Sequence, residues 1–100
     1  MKIVYDVIQT MTLEVFADKH NFVMEIRERH QSVGSSLRYI ASFKHVEVGG
    51  NGFLRSAYGN GGTPEEAMRD YATKISEQFL VYKAYQKSRK EVQAPRLIGE

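Results

Sequence analysis

The sequence predicts an α+β domain: a two-layer sandwich whose antiparallel sheet of three to four strands carries two helices on one face, in the order (β)-α-β-β-β-α-β. Three observations carry this. Apolar residues recur at helical spacing in two segments, around 13–20 and 67–75. Residues 22–29 alternate with period two, the mark of a strand covered on one side. Between them, Gly49-Gly50-Asn51-Gly52 is flanked by strand signals, which reads as a hairpin turn.

Each element follows from its own residues. Residues 2–9 alternate loosely, which allows a short strand, and Met11 stands as an alternative start. Leu13, Phe16, Ala17 and His20 fall at i, i+3, i+4 and i+7, one helical face over residues 12–20. Thr10 or Thr12 can cap that helix, and Asn21 can take the left-handed conformation that stops it. The charge of His20 at the helix end would complement the dipole. Phe22, Met24 and Ile26 then share one face, with Glu25, Arg27 and Arg29 on the other. Residues 30–36, with Gly34, Ser35 and Ser36, read as a loop.

Leu37, Tyr39, Ala41 and Phe43 share a face, but Val46 and Val48 have the opposite parity. A slip of one residue inverts every side chain, so a bulge or bend is expected near Lys44-His45. Residues 53–58 return as the partner strand, and Gly59-Asn60-Gly61-Gly62 is expected to break it. Thr63-Pro64-Glu65-Glu66 is a capping box with proline in the first turn, where its missing N–H costs nothing. Ala67, Met68, Tyr71, Ala72 and Ile75 form the apolar stripe of a second helix over residues 64–77. Residues 79–85 read as a strand that, like the N-terminal one, could form a sheet edge, and residues 86–100 are polar and basic. Val92, Leu97 and Ile98 are the residues there that can dock back.

With 42% hydrophobic, 26% charged and 11% aromatic residues, the chain reads as one globular domain over 1–100, with 1–10 and 86–100 peripheral. The absence of cysteine excludes disulfides, thiol nucleophiles, Fe–S clusters and Cys-type zinc sites. Fourteen Lys and Arg against twelve Asp and Glu give a net charge of +2, neither a polyanionic mimic nor a strongly basic coat. No apolar run approaches membrane-spanning length, and Asp6 interrupts the opening segment, so a cytoplasmic protein is expected. His20, His30 and His45 lack metal-ligand spacing, and no nucleophile–base pair or carboxylate pair stands out. The reading is therefore non-enzymatic, without cofactor or metal. The glycine loop ahead of the second helix is a poor phosphate cradle, because Pro64 removes a donor and Glu65 and Glu66 occupy the positive end.

Two basic and aromatic sets remain. On the hairpin, Tyr39, Phe43, Phe53 and Tyr58 stand near Arg38, Lys44 and Arg55, the mixture that base stacking uses. Apolar parity instead assigns those aromatics to the core. Near the end, Tyr82, Lys83, Tyr85, Lys87, Arg89, Lys90 and Arg96 form the densest run, against Glu91 alone. Such a run can meet an acidic protein surface or track phosphates, or serve as a solvated edge that discourages aggregation. The candidate binding residues are Tyr82, Lys83, Tyr85, Lys87, Arg89 and Lys90, with Arg55 from the hairpin.

The order helix, three strands, helix over residues 12–77 resembles the double-stranded-RNA-binding domain. The likeness lies in Leu13…Phe16-Ala17…His20, Met24-Glu25-Ile26, Phe43…Val46-Glu47-Val48 and the glycines before the second helix. That resemblance implies duplex RNA gripped by the first helix, the loop between the first two strands and lysines opening the second helix. Here the loop 30–36 lacks the expected proline, and Glu65 and Glu66 hold the lysine positions, where they would repel phosphates. Thr63-Pro64-Glu65-Glu66-Ala67 after strands is also similar to HicB-type antitoxins. In size and style the chain looks like the small accessory proteins of phages and prophages, some of which inhibit host defence complexes. The expectation is a module that docks on a protein or nucleoprotein of the host, such as a CRISPR-type defence complex. Direct duplex nucleic-acid binding and an antitoxin-like regulator are the alternatives, with homodimerisation through a sheet edge open.

Overall fold

The computed structural model describes residues 10–29, 37–50 and 52–99. The strand expected over 2–9 and the loop over 30–36 lie outside the described residues. In chain order the elements are β1 (Thr10–Thr12), α1 (Leu13–His20), β2 (Met24–Glu28), β3 (Tyr39–Phe43), β4 (Val46–Gly50) and β5 (Phe53–Arg55). They continue as β6 (Gly59–Gly61), α2 (Pro64–Ile75), β7 (Phe79–Tyr82), β8 (Lys90–Gln93) and β9 (Arg96–Ile98). The domain is α+β, with two helices and antiparallel sheets of three and four strands.

Both helices begin on their capping chemistry, and α1 also ends on it. The Thr12 hydroxyl accepts from the Val15 N–H at 3.2 Å, and Asn21 closes α1 at φ 57°. The Thr63 hydroxyl accepts from the Glu66 N–H, while the Glu66 carboxylate reaches back to the Gly62 N–H at 2.9 Å. Leu13, Phe16 and Ala17 of α1 and Ala67, Tyr71, Ala72 and Ile75 of α2 are buried, as their spacing predicts.

The sheets arise from one long, bent hairpin. β3 and β4 form its outgoing arm, β5 and β6 its return: Gly50 opposes Phe53, and Tyr39 opposes Gly61. Between the pairs Ala41–Gly59 and Val48–Arg55 the outgoing arm spends six residues, 42–47, and the return arm three, 56–58. The surplus is taken up at Lys44-His45, a turn with His45 at φ 62°. The parity slip read from the sequence is therefore a bend that carries the chain from one sheet into the other. β2 pairs with β3 before the bend, giving the order β2-β3-β6; β7 pairs with β4 after it, giving β5-β4-β7-β8. β1 and β9 form a separate parallel pair.

Three expectations are corrected. The stretch Gly59–Gly61 does not break the return strand but forms β6, lying directly under α2. A Cβ at Gly59 would stand 2.0 Å from the Ala67 carbonyl oxygen, and one at Gly61 2.4 Å from the Ala67 nitrogen. The glycines are there for close approach of helix to strand, a use that composition reads as a break. The segment 79–85 is not an edge: β7 ends at Tyr82 and lies between β4 and β8. The polar tail supplies that outer strand, β8, and then β9, with Ala94 and Leu97 buried between and within them. Finally, parity places Phe53 and Tyr58 in the core, but they are 78% and 51% exposed: Phe53 opposes Gly50 at the tip of the hairpin, and Tyr58, next to Gly59, has the parity of the outer face.

One aromatic cluster locks the sheets together. Phe43 meets Tyr71 of α2 edge-on at 5.3 Å and Phe22 at 5.3 Å. Phe22 stacks on Tyr82 of β7 at 5.5 Å and touches Phe16 of α1 at 5.9 Å. Burial pushes the Tyr71 phenol up to about 12, a rise that the nearby Phe43 backbone reduces and Tyr58 increases.

Candidate functional site

The residues singled out near the C-terminal end occupy the β7–β8 connection. Two linked turns build it, with the Gln86 N–H donating to the Lys83 carbonyl and the Arg89 N–H to the Gln86 carbonyl. Tyr85 at its tip is 87% exposed, and Lys87 is exposed beside it. Lys83 enters the turn at φ 50°, a conformation that L residues adopt at some cost, and its ammonium lies 5.3 Å from the Tyr82 ring.

The other candidates have structural partners. Tyr82 is half-buried on Phe22. The Lys90 ammonium lies 5.7 Å from the Phe22 ring and donates to the His20 carbonyl at 3.3 Å. Arg89 pairs with Glu91 at 2.8 Å and donates to the Ala84 carbonyl. Arg55 lies on β5, beyond β4 and β7 from β8, so the fold does not bring it to the hairpin tip. The surface that the run presents is thus Lys83, Tyr85 and Lys87.

His20 closes the last turn of α1, as expected, and packs there among aromatic rings. Its ring lies between Phe16 at 4.7 Å and Phe22 at 5.6 Å. Burial there, then Lys90, then Lys19, hold its pKa below the ordinary value, so the neutral imidazole is favoured.

A second surface lies at the bend. Ala41 and Phe43 of β3 are buried, whereas Ile40 and Ser42 are half-buried on the opposite face of the strand. On that face, where the two sheets diverge, a cleft of about 940 Å³ opens. β2 lines it with Glu25 and Arg27, and Arg29 follows just past the strand end; the bend and the start of β4 add Lys44, His45 and Glu47; the return arm adds Tyr58 and Asn60. Arg29 donates to the Asn60 side-chain oxygen at 3.0 Å, which fixes the guanidinium without neutralising it. Arg27 reaches Glu25 only at 3.7 Å, from an exposed position. Lys74 is committed elsewhere, to Asp70 at 2.8 Å and the Tyr58 carbonyl at 2.9 Å. Asp70 also accepts from the Asn60 N–H at 2.8 Å. Burial raises its pKa, but the Lys74 and Asn60 bonds outweigh that and hold it below the ordinary range.

Sequence reasoning placed Arg27 and Arg29 on an outward face but had no signal that this face would become concave. Of the basic and aromatic hairpin set, Lys44 and Tyr58 line the cleft, Arg38 pairs with Glu28 at the far end of the β2–β3 ladder, and Arg55 sits on the other sheet. The parity slip at Lys44-His45 was the one available pointer.

Among the described residues, no group of three His, Asp or Glu side chains is arranged to hold a metal ion. No helix among them is long and apolar enough to cross a membrane. No family model, curated protein or solved structure matches the chain.

Proposed function

We propose that the protein is a non-catalytic binding module that docks on a protein or nucleoprotein partner through the tip of the β7–β8 hairpin. The observation that carries this reading is Tyr85, 87% exposed on a turn built by two backbone hydrogen bonds and flanked by Lys83 and Lys87. A large ring held in water serves no packing in the free molecule, and tyrosine concentrates binding energy when a partner covers it. The nearby acid, Glu91, is already paired with Arg89, so the tip presents positive charge to an acidic surface. The likeness in size and style to phage accessory proteins makes a host defence nucleoprotein the first partner to try.

Affinity capture from a host lysate, with and without nuclease, tests the reading when Tyr85→Ala/Lys87→Ala is run beside the native chain. A partner that survives nuclease and is lost with the double variant supports it. Duplex nucleic acid is the competing ligand. A mobility shift with duplex that weakens steeply with salt, and disappears when Lys87, Arg89 and Lys90 become Ala, would replace protein docking with direct duplex binding.

A further inference from the structure

We propose that the cleft at the bend is a separate binding site, for a segment of single-stranded nucleic acid. It uses none of the hairpin-tip side chains and goes beyond the docking role. The lining is mixed, and the mixture selects the ligand. Arg29 and Lys44 are cations without a carboxylate partner among the described residues, and Arg27 is only loosely held by Glu25. These suit phosphates, and the guanidinium of Arg29 is held in place by Asn60. Glu25 and Glu47 stand in the same cleft. They oppose any polyanion laid directly against them, but unlike the cations they accept hydrogen bonds, which exocyclic amino groups of unpaired bases donate and an acidic side chain does not. Tyr58, 51% exposed and lining the cleft, offers a face for stacking.

Shape separates single strand from duplex. A duplex stacks its bases inside and is read by protein elements that enter its grooves. This surface is the reverse, a concave cleft of about 940 Å³ that accepts something thinner and flexible. The cleft is also fixed in position. The Lys44 N–H donates to the Val23 carbonyl at 2.8 Å, and the His45 carbonyl accepts from the Lys83 N–H at 2.9 Å, so the bend is held from both neighbouring strands. A site that does not have to be ordered on binding loses less affinity to entropy.

The test is fluorescence anisotropy with a labelled single-stranded oligonucleotide of mixed sequence, about twelve nucleotides long. Its duplex and a polyglutamate peptide serve as competitors. Two to three phosphate contacts give a salt slope of about −2, so affinity falls roughly 16-fold when salt is raised about fourfold. Arg29→Gln/Lys44→Gln should weaken binding about tenfold or more and reduce the slope by about one to two. Tyr58→Leu should weaken it about fivefold, the loss of one stacked base. Tyr85→Ala/Lys87→Gln should leave it unchanged. Glu47→Gln should tighten binding several-fold, a gain that unfolding cannot imitate. Absence of binding at low salt, stronger binding of the duplex, displacement by polyglutamate, or sensitivity to the hairpin variants alone would each overturn the assignment. Loss of partner capture with intact oligonucleotide binding would fault the docking role and leave this site standing.

Discussion

Gly59→Ala tests the packing on which the cleft depends. An added Cβ would stand 2.0 Å from the Ala67 carbonyl oxygen, 2.4 Å from the Tyr71 nitrogen and 2.6 Å from the Tyr71 Cβ. Ordinary carbon contacts need about 3.5 Å, so strand and helix would have to separate by more than about 1 Å. Neither can yield locally. Gly59 is paired with Ala41, the next residue donates to Asp70, and Ala67 and Tyr71 are essentially without exposure. Overpacking alone costs about 1–3 kcal/mol. Losing the Asn60–Asp70 hydrogen bond and loosening the Tyr71 contacts each add about 1 kcal/mol. The expected loss is about 3–5 kcal/mol, a large part of the roughly 5–15 kcal/mol that a domain of this size has. Gly50→Ala is the control: nothing lies within 4 Å of its added Cβ, and its backbone is not in the left-handed region. That change should be neutral or stabilise by up to about 1 kcal/mol. Urea unfolding followed by circular dichroism measures both. With a slope near 2 kcal/mol/M, Gly59→Ala should lower the midpoint by about 2 M. A midpoint within about 0.5 M of the native value, at unchanged slope, would refute the account of β6 as a strand held against α2.

Two further outcomes follow from perturbed ionisable groups. The Tyr71 phenol has its pKa raised from 10.0 to about 12 in the fold, so its contribution is complete below pH 10 and disappears as pH rises through about 12. Tyr71→Phe keeps the ring and removes the titrating hydroxyl, so in urea unfolding the loss of stability on raising pH from 10 toward 12 should shrink, and an unchanged pH dependence would count against this assignment. His20 has its pKa lowered below 6.5 by burial, Lys90 and Lys19, so the unfolded chain takes its proton first. Its contribution is present above pH 6.5 and is lost as pH falls through the depressed folded value. Lys90→Met should raise the His20 pKa in an NMR titration, and a lower value would contradict the assigned Coulombic cause.

Signals confined to a few neighbouring residues were legible in the sequence. Thr63-Pro64-Glu65-Glu66 and Asn21 fix helix ends through bonds spanning three to four positions, and the structure places those bonds as expected. The turn joining Gly50 to Phe53 is equally local. What stayed hidden depends on distant partners. Gly59–Gly61 has no strand signal, because its pairing with β3 and its proximity to α2 are tertiary facts. β8 reads as a polar tail, since only Val92 turns inward, and β9 finds its partner at the other end of the chain, in Thr10–Thr12. The hairpin-tip candidates fell in one run and were easy to nominate. Their partition into structural and free residues was not, because Tyr82 and Lys90 are taken up by Phe22 and His20, some sixty to seventy positions away.

The bend connects the fold to its surfaces. Three surplus residues on the outgoing arm force the hairpin to change sheets, and that change gives the two faces different uses. On the helix side, Phe43 before the bend and Val46 after it both turn inward, so one core runs through the break in parity. On the other side the same break parts the sheets and leaves Lys44 exposed in the lining of the cleft. A regular hairpin with equal arms would keep one parity throughout, and Val46 and Val48 would then face water. Core continuity therefore requires the bend, and the bend creates the cleft. A stabilising change that straightened the hairpin would remove the concavity along with the strain at His45, which ties any binding at this face to the irregularity the sequence spends three residues to build.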